Sequence, residues 1–308
     1  MLMKRYRDLN TYLKDHYGER VQKISLDSGL SCPNRDGTLS GKGCIFCDAR
    51  GSGTGALIQR AQSIDSQIQI GKELLKKRYA ARKFIAYFQS FTNTHGPVEK
   101  LKELYDQAMA HEDIVGLSVA TRPDCIDPDK LNLLCSYQIR GLVWLELGLQ
   151  SSHNSTLKTI NRGHDTACFE KSVLMAANSG LSVCAHVILG LPGETREMML
   201  QTARFIAGLP IDGIKIHLLY IVRGTPLEDL YHEGAFTCLE REEYIDLVVD
   251  FLELLPPDMI IHRLTGDPQR SELIAPGWAL EKMKNLQMIE SRMRQRDTWQ
   301  GAKYQMPA

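Results

Sequence analysis

Short apolar runs rich in β-branched and aromatic residues recur along the chain and stop at turn or polar residues, as strands buried on both faces of a parallel sheet do. They are KFIAYF (83–88), IVGLSVA (114–120), GLVWLELGL (141–149), LSVCAHVILG (181–190) and GIKIHLLYI (213–221), with VQKISLD (21–27) as a first strand. Between them, Pro97 to Ala110, Pro128 to Gln138, Asp165 to Ser179 and Thr195 to Ala207 carry apolar positions at helical period. Repeated strand-then-helix order predicts an α/β fold of six parallel strands, open and doubly wound or curled into a barrel. On the sixth strand, alternation sets Lys215, His217 and Leu219 on one face and Ile214, Ile216 and Leu218 on the other. No Pro/Ser-rich linker interrupts residues 21–260, which predicts one domain there. An N-terminal helical segment (1–20) precedes it. After Pro256-Pro257 come the short piece MIIHRLTGD and a helix-prone basic extension (261–308).

The chain has 308 residues, 43% hydrophobic and 24% charged, which excludes disordered, collagen-like and coiled-coil readings. Lys plus Arg and Asp plus Glu are 37 each, so no net field gathers polyanions, and a nucleic-acid site must be a local patch. Charge is unevenly spread: Lys72 to Lys83 carries six bases against Glu73, and Glu228 to Asp258 carries ten acids against Arg241. A basic face and an acidic face are expected. The first twenty residues alternate charges and aromatics without an apolar core, unlike a secretory signal. The apolar stretch IDLVVDFLELL is broken by Asp246, Asp250 and Glu253, and no run approaches the roughly 20 residues of a membrane span. A cytoplasmic protein is expected, in which eight cysteines point to metal binding or catalysis rather than disulfides.

Cys32, Cys44 and Cys47 form a Cx11CxxC pattern in the Gly-rich stretch SCPNRDGTLSGKGCIFCDARGSGTGA after the first strand. The close pair lets two sulfurs converge, and the glycines let backbone fold tightly over an ion or cluster. Structural zinc needs four ligands, so it would recruit a distant residue or Asp48. A thioredoxin-like pair would use only Cys44 and Cys47 and leave Cys32 unexplained. Three thiolates on a 4Fe-4S cluster leave one iron open to a small molecule. The other cysteines (125, 135, 168, 184 and 238) share no close spacing and read as small buried hydrophobes.

This pattern, with Phe46 just before the last cysteine, resembles the radical S-adenosylmethionine superfamily. The resemblance covers roughly residues 20–230 and is closest to the branch of the Elongator catalytic subunit and the oxygen-independent coproporphyrinogen oxidases. It implies a partial (β/α)6 TIM-like barrel with a short helical C-terminal extension, a 4Fe-4S cluster on Cys32, Cys44 and Cys47, S-adenosylmethionine on the open iron, and an electron donor such as a flavodoxin or ferredoxin. Cofactor and substrate positions follow from it. LELGLQS leads into NRGHD, placing Gln150 and Arg162 where relatives contact the cofactor's ribose and carboxylate, and an Arg fork suits a carboxylate. Glu146 shares a strand face with Gly148 and Gln150, as a cofactor contact or as a buried acid paired with a base. His186 and the turn at Gly190 in AHVILGLPGET match cofactor-facing positions near the adenine.

Two departures stand out. YFQSFTNT replaces the relatives' Gly-Gly, so Gln89, Ser90, Thr92 or Asn93 must supply the hydrogen bonds to the cofactor's amino group. SVATRPDCI has Ala120 in place of an acid, shifting ribose binding to Glu146 or Gln150. Catalytic residues of such barrels gather at the C-terminal ends of strands, which makes Lys215, His217, Tyr220 and Arg223 candidate substrate contacts.

Over its whole length, including YGERVQKISLDSGLSCPNRDGT, ATRPDCI and INRGHD, the chain resembles a bacterial family linked to the wobble uridine of tRNA. That resemblance implies conversion of a carboxymethylaminomethyl group on carbon 5 to aminomethyl. The tail is expected to be too short for the Elongator subunit's acetyltransferase domain, and no three-cysteine amino-terminal domain of the methylthiotransferase kind is seen. The Lys72 to Lys83 run and SRMRQR (291–296) are candidate phosphate contacts. A radical enzyme with a small-molecule substrate and a noncatalytic zinc-stabilised RNA-binding module are the competing readings.

Overall fold

The computed structural model describes residues 4–51 and 63–306, so the end of the Gly-rich stretch lies outside the described residues. Seven strands pair in parallel in chain order: β1 (Val21–Leu26), β2 (Lys83–Phe88), β3 (Ile114–Thr121), β4 (Leu142–Gln150), β5 (Ser182–Leu189), β6 (Gly213–Leu218) and β8 (Ile260–Arg263). The short strands β7 (Ile221–Val222) and β9 (Leu273–Ala275) pair antiparallel beside them. The helices are α1 (Leu9–Tyr17), α2 (Ile64–Tyr79), α3 (Val98–Met109), α4 (Pro128–Ser136), α5 (Asn154–Thr159), α6 (Thr166–Asn178), α7 (Arg196–Ala207), α8 (Pro226–His232), α9 (Arg241–Leu254) and α10 (Lys282–Gln295). With β1 and β8 as unjoined edges, the sheet is a curled half-barrel, the α/β partial barrel that the sequence predicts.

Two details differ from the expectation. GIKIHLLYI ends as a strand at Leu218, because the chain then leaves the sheet; Ile221 joins β7 instead. MIIHRLTGD supplies a seventh strand, paired with β6 through Gly213, Ile214 and Lys215. Its apolar run, Met259 to Ile261, is too short to stand out by periodicity.

Strand alternation sorts the side chains. On β4, Val143, Leu145, Leu147 and Leu149 enter the main core beneath the helices, where Leu101, Leu104, Tyr105 and Ala108 of α3 also lie. The other parity, Trp144, Glu146, Gly148 and Gln150, turns to the lumen. Leu9, Tyr12 and Leu13 of α1 pack against Val21, Ile85, Trp144 and Ile260, stoppering the lumen at one end. Asp8 fixes the start of α1 by accepting from the Asn10 and Thr11 N–H groups. The lumen's approach is left to the opposite, C-terminal ends of the strands.

The expected separate basic and acidic faces do not form at the C-terminus. Arg292 ion-pairs with Glu242 at 2.7 Å and with Asp246, and Arg296 with Asp250 at 2.6 Å and with Asp246. The SRMRQR segment is therefore largely neutralised by the acids of α9, which corrects its reading as a phosphate-contact strip. In α2, Lys72 and Lys76 pair with Asp113, while Lys77 and Arg78, and Arg82 just beyond its end, are exposed. No helix among the described residues is long and apolar enough to cross a membrane.

Candidate active site

The cysteine loop lies over the open end of the lumen, laced to the segment after α5. Ile45 N–H donates to Ile160 O at 3.1 Å, Asn161 Nδ2 to Gly43 O at 2.6 Å, and Asn34 Nδ2 to Asn161 O at 2.6 Å. Cys44 is buried, with Cys32 and Cys47 half-buried. Its Sγ receives Asn34 Nδ2 and Arg162 Nη1, each at 3.6 Å. Arg122, itself buried, feels the Cys44 and Cys32 sulfurs and holds Asp124 through two hydrogen bonds at 2.9 and 2.7 Å. Its Nη1, the Arg162 Nε and the Asn34 Oδ1 remain buried without a hydrogen-bond partner. Unmet polar groups and two cations around thiol side chains suit a group of net negative charge.

Two glycines make this arrangement possible. A Cβ on Gly148 would lie 2.5 Å from Arg162 Nη2 and 2.7 Å from Gln150 Nε2, so only glycine lets both side chains cross β4 there. Gly51, at φ +66°, sits against the Phe91 ring, and its carbonyl accepts the Phe91 N–H at 3.1 Å.

Deeper in the lumen Glu146 is sealed from solvent. It accepts from Lys23 Nζ at 2.6 Å, from His186 Nε2 at 2.7 Å, and from Lys215 and Ser118. Burial pushes its carboxyl up, but Lys215 and Lys23 outweigh burial and hold it well below the usual carboxylate range. Burial lowers Lys215 to about 8 against the opposing pull of Glu146. Burial, reinforced by Lys215, lowers His186 to about 4, so the imidazole is neutral and donates from Nε2. Lys215 Nζ also donates to the Tyr87 hydroxyl at 2.8 Å.

Above this network opens a cavity with about 1280 Å³ of non-atom space, part of it open to solvent. Cys32, Cys44, Cys47 and Phe46 line one part with Gln89, Gln150 and Arg162, and His186, His217 and Tyr220 also line it. Most sequence-predicted residues are thus brought together.

Glu146 and Lys215 lie beneath the wall: Glu146 is the buried acid paired with bases, not a cavity contact. Ser90 is buried off the wall, and Asn93 is spent on the Phe88 and Ala120 carbonyls. Of the four amino-group candidates, Gln89 and Thr92 reach the cavity, and the buried Thr92 Oγ1 has no hydrogen-bond partner. Gly190 packs beside Leu239, and Arg223 is exposed, both off the wall. Sequence reading missed Tyr87, Arg122 and Arg263, which line the cavity. ATRPDCI held Arg122 in plain view; Arg263 sat in a strand too short to be recognised.

The model for the radical SAM superfamily matches residues 32–206, and the model for the radical SAM C-terminal domain matches residues 211–295. The chain belongs to the radical SAM superfamily. It is a radical S-adenosylmethionine enzyme, in a family whose cofactors are a 4Fe-4S cluster and S-adenosylmethionine. The Bacillus subtilis (strain 168) protein YtqA is 43% identical over 302 residues, 98% of this chain and 94% of that protein. The tRNA uridine(34) acetyltransferase of Dehalococcoides mccartyi is 29% identical over 175 residues, 56% of this chain and 37% of its own length. The archaeal Elp3 of Methanocaldococcus infernus has the same fold, with a TM-score of 0.65 at 19% identity over 91% of this chain and 64% of that structure. The chain is thus similar over part of its length to Elp3-type proteins and shares their fold.

Proposed function

We propose that this enzyme modifies the side chain on carbon 5 of the wobble uridine in tRNA, converting carboxymethylaminomethyl to aminomethyl. The observation that carries the reading is the similarity, through the barrel, to a tRNA uridine(34) acetyltransferase, a protein named for action on that same nucleotide.

Cys32, Cys44 and Cys47 would hold the cluster by three thiolates, and Gln150, Arg162, Phe46 and Thr92 surround the space for S-adenosylmethionine next to it. Bound there, these groups would supply a radical able to take a hydrogen atom from the carbon between the substrate's amine and carboxylate; return of one electron to the cluster and addition of water to the resulting imine would then release the two carbons as glyoxylate and leave the aminomethyl group. The chain's own residues orient and shield. Asn34 and Arg162 hold Cys44 by N–H to sulfur contacts. Arg162 offers a fork suited to a carboxylate at the cluster's edge. The fully buried Glu146 network fixes the facing of Lys215, Tyr87 and His186 beneath the cavity, so that the side of the substrate meets preorganised polar groups. The α1 stopper and the packed core shut water out from below.

The test is anaerobic turnover of the reconstituted enzyme with S-adenosylmethionine, a low-potential reductant, and tRNA bearing carboxymethylaminomethyl uridine. Formation of aminomethyl uridine matched by 5′-deoxyadenosine supports the reading. Intact nucleoside after many equivalents of 5′-deoxyadenosine contradicts it.

A further inference from the structure

The lumen floor holds more positive charge than negative. Lys23 and Lys215 both bond to Glu146, the one carboxylate in that network, and Arg263 adds a third cation beside them on β8, at the position paired with Lys215. The neighbouring titratable groups supply no second anion. Burial, then the Glu146 charge, raises the Tyr87 phenol, and burial raises the Cys184 thiol, so both stay neutral. His186 and His217 are neutral as well, with Arg263 adding to burial at His217.

Arg263 differs from the other arginines of the cavity. Arg122 holds Asp124, Arg162 holds the Gly148 carbonyl at 2.7 Å, and Arg35 holds the Cys47 carbonyl at 2.5 Å. The half-buried Arg263 lines the cavity, and among the described residues no hydrogen bond or ion pair meets its guanidinium. His217, on the adjacent strand β6 in the same wall, likewise makes no hydrogen bond among the described residues, its ring tilted 43° to that of His186 at 6.1 Å. A guanidinium that faces the cavity and meets no protein anion is free to take a carboxylate from a ligand.

We infer that Arg263, with the His217 ring beside it, forms an anion subsite that receives the terminal carboxylate of the substrate's side chain. The inference rests on the proposed tRNA substrate and deepens it: the carboxymethylaminomethyl group ends in a carboxylate, and its product lacks one. A planar fork binds both carboxylate oxygens at once, and a neutral imidazole adds one N–H donor. The Arg162 fork at the cysteine loop is assigned to the cofactor's carboxylate, so Arg263 is the cation left to tell the two nucleosides apart. A backbone phosphate, held in a bulky ribose chain, suits the cavity mouth better than this position beside the buried Lys215.

The test measures affinity of cluster-reconstituted enzyme for two anticodon stem-loops, one with carboxymethylaminomethyl uridine and one with aminomethyl uridine at the wobble position. Wild type is expected to prefer the carboxylate-bearing stem-loop by about tenfold or more. Arg263→Gln brings the two affinities together, and Arg263→Lys keeps part of the preference; iron and sulfide content checks that each variant is folded. A full preference in Arg263→Gln overturns the subsite and leaves the tRNA reading standing. An RNA-free probe separates the two claims: N-methylglycine and methylamine are titrated into enzyme carrying ¹³C-labelled histidine. N-methylglycine should shift the His217 resonance in wild type alone, and methylamine should not. That result without binding of either stem-loop supports the anion subsite and sinks the tRNA substrate. An equal shift in Arg263→Gln overturns the subsite.

Discussion

Arg162 Nη1 lies 3.6 Å from Cys44 Sγ, joining two motifs separated by 118 positions in the chain. The same guanidinium donates to the Gly148 carbonyl at 2.7 Å, and its Nε is buried with no partner. One side chain therefore touches a cluster cysteine, β4 and the space beside them. Removing it leaves the cysteines in place while deleting the cation at the cofactor's edge. Arg162→Ala should weaken S-adenosylmethionine binding by tenfold or more, the worth of a charge-assisted hydrogen bond being roughly 1.5–3 kcal/mol. Equilibrium dialysis checks this, with iron and sulfide content unchanged. Affinity equal to wild type would remove Arg162 from the cofactor site.

Glu146 ties four other strands to β4 by accepting from Lys23, Ser118, Lys215 and His186. Glu146→Ala leaves the buried Lys215 ammonium and the half-buried Lys23 ammonium without a counter-charge and should destabilise the fold by about 3–5 kcal/mol. Urea unfolding measures the loss. A change below about 1 kcal/mol would show that the network is not held as described.

His186 gives that network a pH signature. Burial lowers its folded value to about 4 from the usual 6.5, so the unfolded chain binds the proton first as pH falls. The stability from keeping the ring neutral is present above pH 6.5 and is lost between there and about 4. Denaturation midpoints should therefore fall more steeply between pH 7 and 4.5 in wild type than in His186→Gln, and parallel slopes would refute the buried neutral ring.

The paired tail and the exposed α2 bases make opposite forecasts for RNA binding. Lys77→Ala and Arg82→Ala should each lower the slope of log affinity against log salt by about 0.9, the value for one phosphate contact. Arg292→Ala should not change that slope, because Glu242 and Asp246 already engage its guanidinium. Salt-dependent binding of tRNA reads both, and the reverse pattern would place RNA on the C-terminal helix.

Much of the fold was legible because five strands are long apolar runs buried on both faces, from KFIAYF to the start of GIKIHLLYI. β8 escaped notice since three apolar residues carry no readable period. The cysteine loop and NRGHD announce themselves by spacing, and the structure brings Arg162 to Cys44. Alternation groups Glu146 with Gly148 and Gln150, and Lys215 with His217, but depth along a strand is a tertiary property, so the place of Glu146 and Lys215 beneath the cavity could not be read. Ser90 and Gly190 missed the wall for the same reason: a motif fixes neighbourhood in the chain, while backbone curvature decides which side chain reaches the cavity. The pairing of SRMRQR with α9 is also invisible in sequence, since both runs read as solvated faces until the helices pack.

The most direct measurement is mass spectrometry of tRNA nucleosides from cells lacking this gene, beside the same cells complemented with wild type or with Cys44→Ala. The account predicts that carboxymethylaminomethyl uridine accumulates in the deletion strain and in the Cys44→Ala strain, and that wild type restores the downstream nucleoside. A nucleoside profile identical in all strains would contradict the tRNA substrate, and restoration by Cys44→Ala would contradict the cluster's part in the reaction.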